Sequence, residues 1–256
     1  MDKKRLIKYL LLTFIITWIC WWADALLIKV TDLSEGDILP MVLFTVGGFG
    51  PTIAACICME DGFSKTHLKK FLFNNSGKNW AFLFVALFLE TVVFGGSSAG
   101  IISSIPRTPV AVIVVLIVFL QAAILYGGNE ELGWRGIMQP ILQQKMKSPI
   151  ATFATGIVWV CWHIPLWFIE GNSHQSMSFF TFAILGIALS YWLSAIYNFT
   201  GAIVFCMIMH GWTNTLMGVL DIKESGTYYI GLLLLTMASI VASVKTEYKK
   251  KSNTLC

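Results

Sequence analysis

The sequence predicts an all-α, polytopic integral membrane protein of about eight transmembrane helices with both termini cytoplasmic. Three observations carry that prediction. Hydrophobic residues make up 56% of the 256 and charged residues 12%, against roughly a quarter charged in an ordinary soluble domain. The apolar residues fall in eight runs, each near the ~20 residues that cross about 30 Å of hydrocarbon. Lys and Arg collect on alternate connections between those runs, as retention of basic residues on the cytoplasmic side requires.

The first run follows Lys3-Lys4-Arg5 and continues through Trp22. It is too long for the apolar core of a secretory signal, and no small-x-small cleavage site follows cleanly, so the expectation is a retained first helix. The other runs cover roughly 39–59, 79–99, 109–127, 149–169, 177–197, 200–220 and 227–244. The N-terminus, the even-numbered connections and the tail hold 15 of the 18 basic residues; Lys29, Arg107 and Lys223 are the exceptions. With no polar linker, low-complexity stretch or internal repeat, residues 1–256 read as a single transmembrane domain.

The net charge of +4 is small for this length, so nucleic acid is not an expected partner. The six cysteines fall mostly inside apolar runs, where a thiol behaves as a small hydrophobe. Cys56 and Cys58 have no second pair to complete a thiolate metal site. Cys256 is the last residue, whereas a prenylation box places its cysteine fourth from the end.

An ionisable side chain at the centre of a transmembrane helix costs at least ~2.5 to 3.5 kcal/mol, so each one marks a candidate site. Asp24 and Glu90 stand alone and read as snorkelled or internally paired carboxyls. The others form three clusters at helical spacing. Residues 129–136 read Asn-Glu-Glu-Leu-Gly-Trp-Arg-Gly, so Glu131 and Arg135 share one helix face while Glu130 points about 100° away. Trp159 and His163 lie one turn apart on the next helix, and His210 and Asn214 one turn apart on a later one. Two carboxylates, two imidazoles and an amide suit activation of water and stabilisation of an oxyanion. His67 and His174 sit in connections and are left out.

These clusters resemble the CPBP family, the intramembrane proteases of the CAAX-processing and bacteriocin-processing (Abi) group. The family pattern is Glu-Glu-x-x-x-Arg, aromatic-x-x-x-His and His-x-x-x-Asn, matched here by Glu130-Glu131-x-x-x-Arg135, Trp159-x-x-x-His163 and His210-x-x-x-Asn214. The resemblance spans about 115–220, and Gly50-Pro51-Thr-Ile-Ala-Ala looks like a run found earlier in such proteins. One departure is Trp159, where the family usually has Phe.

The resemblance implies an intramembrane endopeptidase. Glu130 would be the general base acting with His163, His210 and Asn214 would bind the oxyanion, and Glu131, Arg135 and Trp159 would be supports. Its substrate would be a prenylated CAAX-type C-terminus or a bacteriocin- or leader-type peptide. His163, His210 and Glu130 form a set that zinc accepts, but the His-Glu-x-x-His spacing of zinc proteases is absent; metal-free glutamate chemistry is the expectation, with zinc the alternative. The expected location is a bacterial plasma membrane, with the site open toward the cytoplasm and lipid and a peptide or protein substrate as partners.

Two other readings use the same residues: a non-proteolytic scaffold for self-immunity or partner regulation, and a proton-coupled transporter. Gly96-Ser-Ser98-Ala-Gly100 fits Gly-x-Ser-x-Gly but ends a membrane helix, where a nucleophile elbow needs strand, turn and helix. Depth adds one structural expectation. A fourth helix started at Pro109 puts Glu130 about 31 Å along it, against about 21 Å for His163 on its own helix. The fourth span should therefore begin nearer Val115 and run past Arg135 toward Gln143, bent at Gly127-Gly128.

Overall fold

The structure, a computed structural model, describes residues 2–59, 65–73, 79–102 and 110–253. Lys78, Arg107 and Cys256, which entered the sequence argument, lie outside the described residues. In chain order the elements are α1 (Asp2–Val30), α2 (Ile38–Gly48), α3 (Gly50–Cys58), α4 (Lys65–Phe73), α5 (Trp80–Gly96), β1 (Ser98–Ile101) and α6 (Val110–Ile124). A 3-10 turn (Gly128–Glu130), α7 (Glu131–Gly133), a π-helical turn (Trp134–Met138) and α8 (Gln139–Gln143) follow. Then come α9 (Ser148–Trp162), 3-10 turns at Ile164–Phe168 and Ser173–Ser176, α10 (Phe179–Thr200), α11 (Ile203–Val219), β2 (Leu220–Ile222) and α12 (Gly226–Asn253).

The all-α membrane class stands, apart from a small antiparallel ribbon of β1 and β2. The helix lengths differ from the expectation of eight spans. Among the described residues five helices are long and apolar enough to cross a membrane, six if α2 and α3, bent by 42°, form one span. The remaining two apolar runs are α5 and α11, shorter helices of 17 residues each. Each rises only about 26 Å, the short end of what reaches across hydrocarbon.

Among the described residues the fourth span is helical from Val110, ahead of the expected Val115, and runs to Gln143. Its helical bonding stops after Ile124 and resumes at Gly128. Gly127, within that break, takes φ +129°, a backbone conformation open to glycine.

The chain divides into two compact units, each made of two separated stretches: Met1–Leu68 with Glu130–Ser190, and Lys69–Asn129 with Tyr191–Cys256. In the first, α1 packs along α2 and α3. Pro51 has no amide to give the carbonyl of Gly47, so the helix breaks there. Thr17 Oγ1 donates to that carbonyl at 2.7 Å, which satisfies a group that apolar surroundings would penalise. Gly133 brings α7 against α3 and α1, since a methyl group there would strike Pro51 O at 2.7 Å and the Tyr9 hydroxyl.

In the second unit α11 packs closely on α6 and α5. A methyl group on Gly211 would meet Ala123 Cα at 2.7 Å, so the small residues set this spacing. Glu90 is fully buried and internally paired: it meets the Thr213 hydroxyl at 2.5 Å, while Trp212 Nε1 donates to Thr91 Oγ1 at 2.9 Å. Two adjacent residues of α11 are thus tied to two adjacent residues of α5. Asp24 is neither snorkelled nor internally paired by a hydrogen bond; it is fully buried, with no partner for either carboxylate oxygen among the described residues.

Candidate active site

Glu130 closes the 3-10 turn that precedes α7 and is 5% exposed. Trp134, one turn on, donates its indole N–H to Glu130 Oε2 at 3.2 Å, and Trp159 of α9 donates to the same oxygen at 2.6 Å. Two rigid donors on one oxygen fix the carboxylate rotamer. Trp159 therefore does more than the packing expected of it: its N–H reaches the candidate base, which a phenylalanine ring lacks the atom to do.

Glu131 and Arg135 form the expected i,i+4 pair, with N–O at 3.2 Å and exposures of 0% and 1%. Arg135 lies in the π-helical turn, and its Nη2 also donates to Ser190 O at 3.1 Å and Ser190 Oγ at 2.9 Å. Ser190 Oγ in turn donates to Thr152 O at 3.3 Å. The pair thus joins the segment bearing Glu130 to α9 and α10.

His163 caps the C-terminus of α9, where its backbone N–H turns to Val160 O at 3.2 Å. That leaves the carbonyl of Trp159 to His163 Nδ1, at 2.8 Å. A carbonyl only accepts, so Nδ1 carries the hydrogen and Nε2 of the neutral ring holds the lone pair. The ring packs against Trp159 and Trp162, with centroids at 4.7 and 4.6 Å, and Phe182 at 5.0 Å. Glu130 and His163 therefore share Trp159 as a common support.

His174, set aside in the sequence reading, comes beside His163, the ring centroids 5.9 Å apart and the planes 27° from parallel. No sequence spacing signals this, because His174 lies on a short turn after α9. Burial pushes the His174 imidazole down to about 4, since an apolar setting disfavours the cation. Between about pH 6.5 and pH 4 the unfolded chain therefore binds a proton that the folded one refuses. Stability should fall as pH falls through that window, with a slope of up to one proton. His174→Phe should remove that part of the slope, measured as unfolding in detergent from pH 7 to 4; an unchanged slope would contradict it.

The second unit holds His210 and Asn214 on one face of α11, as their spacing implies. Asn214 Nδ2 donates to Tyr126 O at 2.7 Å, and the amide keeps a second hydrogen. A methyl group on Gly127 would lie 2.9 Å from His210 Nε2 and would also strike Asn214 Nδ2. Gly127 thus allows the chain to pass over both side chains, a role that composition alone does not reveal. Gly127→Ala combines backbone strain of about 1 to 3 kcal/mol with that collision. It should lower the unfolding temperature in detergent and displace both polar groups; wild-type stability would refute the close approach.

The structure thus brings Glu130, Glu131, Arg135, Trp159 and His163 together in one unit and His210 with Asn214 in the other. Among the described residues no group of three or more His, Cys, Asp or Glu is placed to hold a metal ion, and Glu130 Oε2 already accepts two N–H donors. Ser98 is no nucleophile elbow. A helix precedes it and a strand contains it, and its hydroxyl donates to Gly95 O at 2.9 Å.

Residues 108–216 match the family described as Type II CAAX prenyl endopeptidase Rce1-like. A CAAX prenyl protease 2 from Methanococcus maripaludis is 28% identical over 272 aligned residues, covering 95% of each chain. The matched segment contains all three motifs, and the similarity extends almost from end to end. The chain is thus similar to CAAX prenyl proteases both in the segment that carries its three motifs and along nearly its whole length.

Proposed function

We propose that the protein is an intramembrane endopeptidase that hydrolyses a peptide bond with water activated by Glu130 and His163. The observation that carries this reading is the clamped carboxylate: two indole N–H groups hold Glu130 beside the ring system that supports His163. One O–H of the water gives its proton to Glu130 and the other is held by His163 Nε2. The water oxygen attacks the carbonyl carbon, and the carbonyl oxygen becomes the oxyanion. His210 and Asn214 donate to that oxygen, and Glu130 passes its proton to the leaving amine as the C–N bond breaks. Glu131 and Arg135 hold the segment that bears the base. The reaction uses no metal and no covalent intermediate.

The substrate is a prenylated CAAX-type C-terminus, with a bacteriocin- or leader-type peptide as the second candidate. The end-to-end similarity to a CAAX prenyl protease supports the first. The 15 basic residues at the termini and on even-numbered connections support a site open to the cytoplasm of a bacterial plasma membrane.

The test is cleavage of matched prenylated and unprenylated fluorogenic peptides by the purified protein in detergent, with and without a zinc chelator. Cleavage of the prenylated series that survives chelation is the expected result. Cleavage lost to the chelator would overturn the metal-free assignment. Asn214→Ala should lower kcat about 10²- to 10³-fold, or ~2.7 to 4 kcal/mol, as an oxyanion donor does. A loss confined to protein yield would make Asn214 a packing residue instead.

A further inference from the structure

One histidine outside that mechanism is held by more hydrogen bonds than its place on a surface turn requires. Asn172 Oδ1 accepts the backbone N–H of His174 at 3.1 Å and meets its Nδ1 at 2.9 Å. Asn172 Nδ2 donates to the carboxylate of Glu35, on the loop after α1. A backbone N–H only donates and a carboxylate only accepts, so the Asn172 amide is oriented independently from both ends. Its oxygen must then accept the hydrogen of Nδ1. The neutral ring therefore holds its lone pair on Nε2, which has no hydrogen-bond partner among the described residues. Trp167 and Phe182 wall the ring in, with centroids at 5.2 and 5.3 Å, and His163 lies nearly parallel to it.

An oriented acceptor beside the water-activating residues needs a donor. In the proposed hydrolysis, on which this step rests, both O–H bonds of the water go to Glu130 and His163. The donors a peptide still brings are its backbone N–H groups. We propose that His174 is a substrate-binding residue whose Nε2 accepts a backbone N–H of the peptide near the scissile bond, with Asn172 and Glu35 as the positioning residues that hold its ring in that tautomer.

The experiment uses the full-length protein in detergent and a set of prenylated peptides in which each amide N–H flanking the scissile bond is replaced in turn by an ester oxygen. For the wild type, one replacement should lower kcat/KM about three- to tenfold, chiefly through KM, the size of one neutral hydrogen bond. His174→Phe, which keeps the ring packing, should lower kcat/KM on the all-amide peptide by the same factor and show no further loss at that ester position. Glu35→Gln, which frees the Asn172 amide to turn over, should produce part of the loss. Nitrogen-15 spectra of histidine-labelled wild type supply a readout independent of cleavage and of any variant's folding, and should show His174 with Nδ1 protonated and Nε2 bare.

Equal ester ratios in wild type and His174→Phe, or a protonated Nε2 in the wild type, would overturn the assignment. Glu130→Gln is run alongside. If that variant cleaves normally, the mechanism itself falls; if it is inactive while the ester coupling is absent, the role of His174 alone falls.

Discussion

Glu130→Gln should abolish peptide cleavage while leaving the fold intact. The glutamine carbonyl can take the position of Oε2 and accept both indole N–H groups, from Trp159 at 2.6 Å and Trp134 at 3.2 Å. The opposite amide orientation would point N–H at N–H, so the clamp itself selects the one that preserves the packing. An amide does not take a proton from water. Loss of a general base costs typically 10²- to 10⁴-fold, and kcat should fall within or beyond that range with the unfolding temperature held. Turnover near the wild-type rate would remove Glu130 from the chemistry. A large fall in unfolding temperature would instead mark the carboxylate as structural.

Arg135→Leu should have the largest effect on stability. The guanidinium is 1% exposed and its partner Glu131 is fully buried. Removing the cation leaves that carboxylate without its ion-pair partner and takes two donors from Ser190. Breaking one side of a buried pair typically costs about 3 to 5 kcal/mol, whereas replacing both sides with apolar groups costs far less. Thermal unfolding in detergent should therefore rank Arg135→Leu below the double variant Glu131→Leu/Arg135→Leu. If the double variant is the less stable, the pair owes its value to packing or to Ser190 rather than to charge compensation. Cleavage by Arg135→Leu should fall as well, because the π-helical turn that bears Arg135 directly continues α7 and the turn that bears the clamped Glu130.

Several of these positions were legible before any coordinates. The i,i+4 spacing within each motif follows from helix geometry, so Glu131 with Arg135, Trp159 with His163 and His210 with Asn214 were readable as shared faces. The interruption of helical bonding at Gly127 falls where two adjacent glycines stand late in an apolar run. The start of the fourth span was not readable: the helix already includes Val110, ahead of the expected Val115. Trp159 read as a packing ring because hydrophobic patterning registers its surface but not the direction of its N–H. His174 sits in a connection, and its place beside His163 is held by Asn172 and Glu35, which helical periodicity does not relate to it. Glu90 read correctly as a possible internal pair, though its partner Thr213 is 123 positions away.

The sequence by itself determined the membrane class, the helix-borne motifs and the chemistry available to them, because hydrophobic run length and the 3.6-residue period are local properties. Only the tertiary structure decided which atoms those residues present. The two donors on Glu130 Oε2, the Nδ1–H of His163 on a carbonyl left over at a helix end, and the reach of Arg135 to Ser190 all depend on where helices stop and how closely they pack. Hydrogen bonds are short-ranged and directional, so a single turn of helix placed differently would remove each of them while leaving the composition, the periodicity and the motifs unchanged.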